Sequence, residues 1–246
     1  MAVTPQEAPT IERARLIVDR LIASHASIDT VLLCGSVARG DADPWSDIDL
    51  VVVGCDAELT TEKLRKTLAD PQGRVSMIYY TASEFHSLIR EGPLFMIHLK
   101  NEGIALFDRV GIREALASLS FSSGEIREQI KVQTAKLRVY VDSRRFNNNF
   151  LFCLSHLYTI GKAIVMLGLA NRGLLEFNRD AAFDRFAALN PDLASETQRV
   201  AQLRPFYRLV AGRKPEPLPF PYRSAARNMQ EAIHAIRIIA KRAEQV

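Results

Sequence analysis

One stretch constrains this chain more than any other: Gly35-Ser36-Val37-Ala38-Arg39-Gly40-Asp41-Ala42-Asp43-Pro44-Trp45-Ser46-Asp47-Ile48-Asp49. An apolar run, Val31-Leu32-Leu33-Cys34, leads into it, and a second, Leu50-Val51-Val52-Val53, leads out. The pattern predicts a strand that ends in a Gly-Ser turn, a short helix, and a second strand opened by Asp-x-Asp. Side chains alternate along a strand, so Asp47 and Asp49 leave one face while Ile48 and Leu50 leave the other. Carboxylates two residues apart stand roughly 7 Å apart and can grip hard divalent ions between them. The Gly35-Ser36 turn offers backbone N–H groups and a hydroxyl to phosphate. Metal and triphosphate are therefore both provided for within one turn and the start of one strand.

The rest of the chain divides in two. Ile11–Ser24 has apolar residues at helical spacing and predicts a helix. Strand-like runs follow at Thr30–Cys34, Ile48–Val53, Arg74–Tyr80 and Gly103–Phe107. Helical stretches lie between them, at about Thr60–Ala69, Ser83–Arg90 and Leu94–Asn101, with breaks at Pro71-Gln72-Gly73 and Glu91-Gly92-Pro93. From Ser122 onward no strand pattern remains. Glu125–Arg145, Phe150–Leu169, Asp180–Leu189, Leu193–Val210 and Ser224–Glu244 all read as helices, and Gly212–Pro221 is a proline-stiffened connector. The fold class expected is α+β: a small mixed-sheet domain over residues 1–121, then an all-α helical bundle over 122–246.

Charge follows the same division. Residues 1–121 hold 12 Lys/Arg against 17 Asp/Glu, a net of −5, whereas residues 122–246 hold 20 against 11, a net of +9. Scattered charges of this kind usually line solvated helix faces, but so large a difference between halves implies that the basic half faces something anionic. No unbroken apolar run reaches the roughly 18 residues of a membrane span, and the N-terminus lacks a signal-peptide profile. Cys34, Cys55 and Cys153 are too few and too scattered for a disulfide framework or a zinc site. The expectation is a cytoplasmic protein with no membrane partner.

Gly-Ser, a short gap with Arg-Gly, and Ser-Asp-Ile-Asp at the start of a strand together resemble the DNA polymerase beta-like nucleotidyltransferase superfamily. The layout, an α/β domain followed by helices, resembles its kanamycin-type and minimal branch. The motif likeness spans roughly residues 28–110. The resemblance implies transfer of a nucleoside monophosphate from a nucleoside triphosphate, with magnesium or manganese as cofactor. It implies Asp47 and Asp49 as catalytic metal ligands and Gly35 and Ser36 as holders of the β- and γ-phosphates. Arg39 either adds charge near the triphosphate or is solvated on the short helix. Ser46 joins the nucleotide site or, as its position favours, turns the chain into the strand.

The resemblance also implies a third carboxylate on a later strand, and there the chain departs from it. The expected position is Ser76, whose hydroxyl supplies neither the charge nor the basicity. A glutamate early in the helical domain serves as base in kanamycin-type enzymes, and the comparable Lys136–Arg145 offers only Asp142. Glu84 is the other carboxylate within reach of the strand. Arg144 and Arg145, at a basic, amide-rich joint, either face the triphosphate or an anionic acceptor such as RNA, or complement a helix end. A +9 domain suits an anionic acceptor better than a cationic one. Arg227 and His234 fit the loose Arg-x(4–6)-His pattern of helical ribonucleases, against a plain reading of solvated Arg and packed His. His98 and His156 read as core histidines. Two functions stand: a metal-dependent nucleotidyltransferase acting on RNA, protein or a small molecule, and a catalytically weakened nucleotide-binding or regulatory module of toxin–antitoxin or defence type.

Overall fold

Four strands carry the first half of the chain: β1 (Ile28–Cys34), β2 (Ile48–Gly54), β3 (Val75–Thr81) and β4 (Ile104–Asp108). They form one mixed sheet in the order β3-β2-β1-β4, with β2 and β3 parallel and β1 antiparallel to both β2 and β4. The structure is a computed structural model describing residues 8–68, 74–91, 93–212 and 216–245. Among these it forms two compact units, Met1–Ser120 and Phe121–Val246. The breaks expected at Pro71-Gln72-Gly73 and Gly92, and residues 213–215 of the connector, lie outside the described residues.

In the first unit the central strands β1 and β2 are apolar on both faces, and both faces are buried, as near-continuous Val/Leu runs require. On one face α1 (Ile11–Ser24) and α3 (Thr61–Leu68) set Ala14, Val18, Leu21, Leu64 and Leu68 against Val31, Leu33, Ile48, Leu50, Val52 and Met77. The strands also receive α4 (Ala82–Glu91) and α5 (Pro93–Glu102), which contribute the fully buried Phe85, Met96 and Leu99. Between β1 and β2 the chain makes α2 (Gly35–Arg39), closed by Gly40 at φ 78°. After β4 comes α6 (Ile112–Ser118), which the apolar spacing did not announce. Asp108 explains its start: its carboxylate accepts the N–H groups of Ile112 and Arg113 at 3.1 and 2.8 Å.

The described residues of the second unit hold no strand; its α-helices are α7 (Ser123–Ala135), α8 (Leu137–Tyr140), α9 (Phe150–Asn171), α10 (Arg179–Leu189), α11 (Ala194–Ala201), α12 (Arg204–Val210) and α13 (Ala225–Glu244). A mixed-sheet domain followed by helices is the α+β class expected. At its centre α9 packs against α7, α10, α11, α12 and α13. By length and composition α9 could cross a membrane, yet 67% of its most apolar window is buried within the protein. Ser155, His156, Thr159 and Lys162 interrupt its apolar sequence. Two expected helices are divided. Glu125–Arg145 stops at Ala135, restarts as α8, and ends in a 3-10 turn at Ser143–Phe146 followed by Asn147 and Asn148 at φ 52° and 55°. Leu193–Val210 is split into α11 and α12 because Pro205 has no N–H to return to Ala201.

Candidate functional site

The Gly-Ser turn and the Asp-x-Asp strand meet because β1 and β2 are antiparallel. Cys34, the last residue of β1, lies opposite Asp49, and Gly35 follows it at φ 75°. That backbone conformation favours glycine, and so does the space beside it, because a Cβ on Gly35 would collide with Asp49 Oδ2. Asp49 therefore lies against the start of α2, where Ser36 and the first backbone N–H groups of the helix stand. Ile48 is 1% exposed and points into the core. Asp47 and Asp49, on either side of it, leave from the other face and are both half-buried.

The loop before Asp47 is closed on itself. Ser46 Oγ accepts the Asp43 N–H at 2.9 Å and donates to Asp43 Oδ1 at 3.1 Å, while Trp45 N–H donates to the same carboxylate at 2.8 Å. Arg74 Nη2 donates to the carbonyls of Pro44 and Ser46 at 2.6 and 2.9 Å. Ser46, 7% exposed, thus shapes the approach to Asp47.

Arg39 ends α2. Its guanidinium binds Asp41 and reaches Glu102, the last residue of α5, at 2.9 Å. Burial would lower its pKa, but the Glu102 and Asp41 carboxylates outweigh this and hold it above its ordinary value. His98 Nε2 stands 2.8 Å from the Glu102 carboxylate. Nearby, the Cys34 thiol is pushed up to about 12, first by burial and then by the charges of Asp49 and Glu102, with Arg39 opposing. Glu102 was not among the residues expected from the sequence. The available signal was an acid in the last turn of a helix, the end a carboxylate normally avoids.

Ser76 is in parallel register with Asp49, so the two side chains share a sheet face. Glu84 reaches back only to Thr81, the last residue of β3. Its carboxylate accepts Thr81 N–H and Oγ1–H at 2.7 and 2.8 Å, a capping arrangement that starts α4. With Tyr80, Ser83, Ser87 and Leu88 it lines an open groove of about 390 Å³ that includes none of residues 35–49. In the second unit Asp142 accepts Arg144 Nε and Nη2 at 2.8 and 2.9 Å, so Arg144 is paired at its own helix joint. Arg227 pairs with Glu231 at 2.8 Å, and His234 is exposed on α13, not packed. Among the described residues no group of three or more His, Cys, Asp or Glu side chains could hold a metal ion.

A family model described as a nucleotidyltransferase domain matches residues 11–95. Among solved structures the chain is similar to spectinomycin adenyltransferase AAD(9) from Enterococcus faecialis, solved with ATP and spectinomycin. The TM-score is 0.56 at 14% identity, over 93% of this chain and 100% of that one. It is also similar to a nucleotidyltransferase-like protein from Exiguobacterium sibiricum, with a TM-score of 0.41 at 14% identity, over 94% of this chain and 74% of that one. No curated protein matches. The matched segment spans β1, the Gly-Ser turn, Asp-x-Asp and β3, in the order and pairing just described. Over residues 11–95 this chain is similar to nucleotidyltransferase domains, consistent with the polymerase beta-like superfamily.

Proposed function

We propose that the chain binds a nucleoside triphosphate along Gly35–Asp49 and transfers its nucleoside monophosphate to an acceptor, with a divalent cation as cofactor. The observation that carries this reading is the contact of Asp49 with Gly35. It places hard anionic oxygens directly beside a helix start able to donate backbone hydrogen bonds. Asp47 and Asp49 are a donor set of the right chemistry for magnesium or manganese, which commonly take one or two carboxylates and complete their shell with water and substrate phosphate. When bound, such an ion would neutralise charge on the triphosphate and on the leaving pyrophosphate. Gly35 and Ser36 would hold the β- and γ-phosphates by N–H and hydroxyl donors, and Arg39 would add positive charge at the far end of α2. In the transfer an acceptor oxygen bonds to the α-phosphorus, the bond to the bridging oxygen breaks with its electron pair, and pyrophosphate leaves. The ATP bound to the adenyltransferase of similar fold supports ATP as the donor to try first. The second unit, at +9, favours an anionic acceptor, RNA being one candidate.

A second reading, nucleotide binding without efficient transfer, is favoured by Ser76 standing in register with Asp49, where the resemblance calls for a third acid. One experiment separates the two. The protein is incubated with α-phosphate-labelled triphosphates, Mg2+ or Mn2+, and separated pools of RNA, protein and small molecules. Label transfer that disappears in Asp47→Ala and Asp49→Ala supports the transferase. Nucleotide binding with no transfer to any pool supports the second reading and overturns the first.

A further inference from the structure

Helix α2 has five residues, far too few to be stable without outside support. Its first residues carry the phosphate-binding groups proposed above, so whatever anchors its far end sets their direction. One anchor is Val37, 3% exposed in the core. The other is Arg39, whose guanidinium holds Asp41 on one side and Glu102 on the other.

Glu102 is unusually placed for an acid. It closes α5, where the exposed carbonyls repel a carboxylate. Its side chain is only 12% exposed, a further cost for a charge. Local preference therefore opposes a glutamate here, and departures of this kind concentrate where function demands them. What offsets the cost is specific: Arg39 Nη1 from α2, at 2.9 Å. The position is fixed from behind as well. Gly103 follows, so close to the Leu99 carbonyl that a Cβ would collide with it, and β4 begins at Ile104.

We infer that Glu102 is a positioning residue of the nucleotide site. Acting through Arg39, it fixes the C-terminal end of α2 so that the Gly35-Ser36 turn stays directed past Asp49. This rests on the nucleotide-binding reading above and adds a residue distant from it in sequence. A helix anchored by this pair needs less ordering when a triphosphate binds.

The test uses the full chain and two probes, ATP with Mg2+ and inorganic tripolyphosphate with Mg2+, titrated calorimetrically, with far-UV circular dichroism and thermal melting as the check on folding. Glu102→Ala and Arg39→Ala are each expected to weaken both probes about tenfold, the size of one lost charge-assisted hydrogen bond. The double variant is expected to be no weaker than Arg39→Ala alone, because Glu102 acts only through that link. Glu102→Gln, which keeps an oxygen acceptor for Arg39, is expected to restore binding to within about threefold of wild type. Glu102→Asp, which keeps the charge but shortens its reach to Arg39, serves as a milder probe if Glu102→Ala lowers the melting temperature strongly, and a loss of binding of about threefold is expected. Wild-type affinity in folded Glu102→Ala, or additive losses in the double variant, overturns the inference and leaves the nucleotide site standing. Failure of the wild-type protein to bind either probe overturns both.

Discussion

Gly35 is the residue on which the site turns. Its positive φ and its contact with Asp49 leave no room for a side chain. Gly35→Ala is expected to lower stability by about 1–3 kcal/mol from backbone strain and collision and to abolish ATP binding, measured by urea unfolding and by nucleotide titration. Asp108 gives a second prediction at this scale. Burial would raise its pKa, but the N–H groups of Arg113 and Ile112 and the Thr30 hydroxyl hold it below its ordinary value. Its stabilising contribution is therefore complete above the unfolded value of about 3.9 and is lost as pH falls through the lower folded value. Asp108→Asn is expected to flatten the stability profile below about pH 4, read from thermal melts at acid pH. These residues differ in how plainly the sequence shows them. Gly35, Ser36, Asp47 and Asp49 are legible because the strand pairing that gathers them is nearly local. Glu102 is not, since its partner Arg39 is 63 residues away and only the packing of α5 against α2 joins them. Glu84 was legible in another sense: Thr81-Ala82-Ser83-Glu84 has the spacing of a helix start, and that is the role it takes.

At the scale of elements, apolar period and turn residues located all four strands and most helices, because burial on both faces of β1 and β2 leaves a continuous Val/Leu signature. Helix divisions were harder. Pro205 explains one in plain chemistry. The interruption at Lys136, whose backbone stays helical, has no glycine or proline beside it to announce it; the helical stretch itself ends later, at the Asp142 carboxylate that receives the Arg144 N–H and at the left-handed Asn147 and Asn148. Helix α9 shows how small residues set spacing between helices. A Cβ on Gly161 would collide with Val200 of α11 and come within 3.3 Å of Ile236 of α13, and one on Gly168 would come within 2.8 Å of Ala243. Alanine ordinarily gains about 1 kcal/mol over glycine inside a helix. At Gly161 the overpacking cost of about 1–3 kcal/mol wins, so Gly161→Ala is expected to destabilise the protein in a denaturant titration.

At the scale of the molecule, two units with separate cores carry opposite charge. A fragment of residues 121–246, at net +9, is expected to bind a polyanion resin at low salt and to elute as ionic strength rises, while a fragment of residues 1–120 passes through. Equal retention of both fragments would remove the electrostatic argument for an anionic acceptor. The sheet order has a consequence in time as well as in space. β1 pairs with β2 across a short connection, but it receives β4 from far along the chain, Thr30 bonding Asp108 over 78 residues. During synthesis from the N-terminus, β1, α2 and β2 leave the ribosome well before β4 does. Long-range pairings of this kind close late because the intervening loop must be ordered first. Glu102 stands two residues ahead of β4, so the nascent chain completes the Arg39 anchor only as the outer strand docks. A growing polypeptide would thus display the Gly-Ser turn and both aspartates before it could hold them in working order.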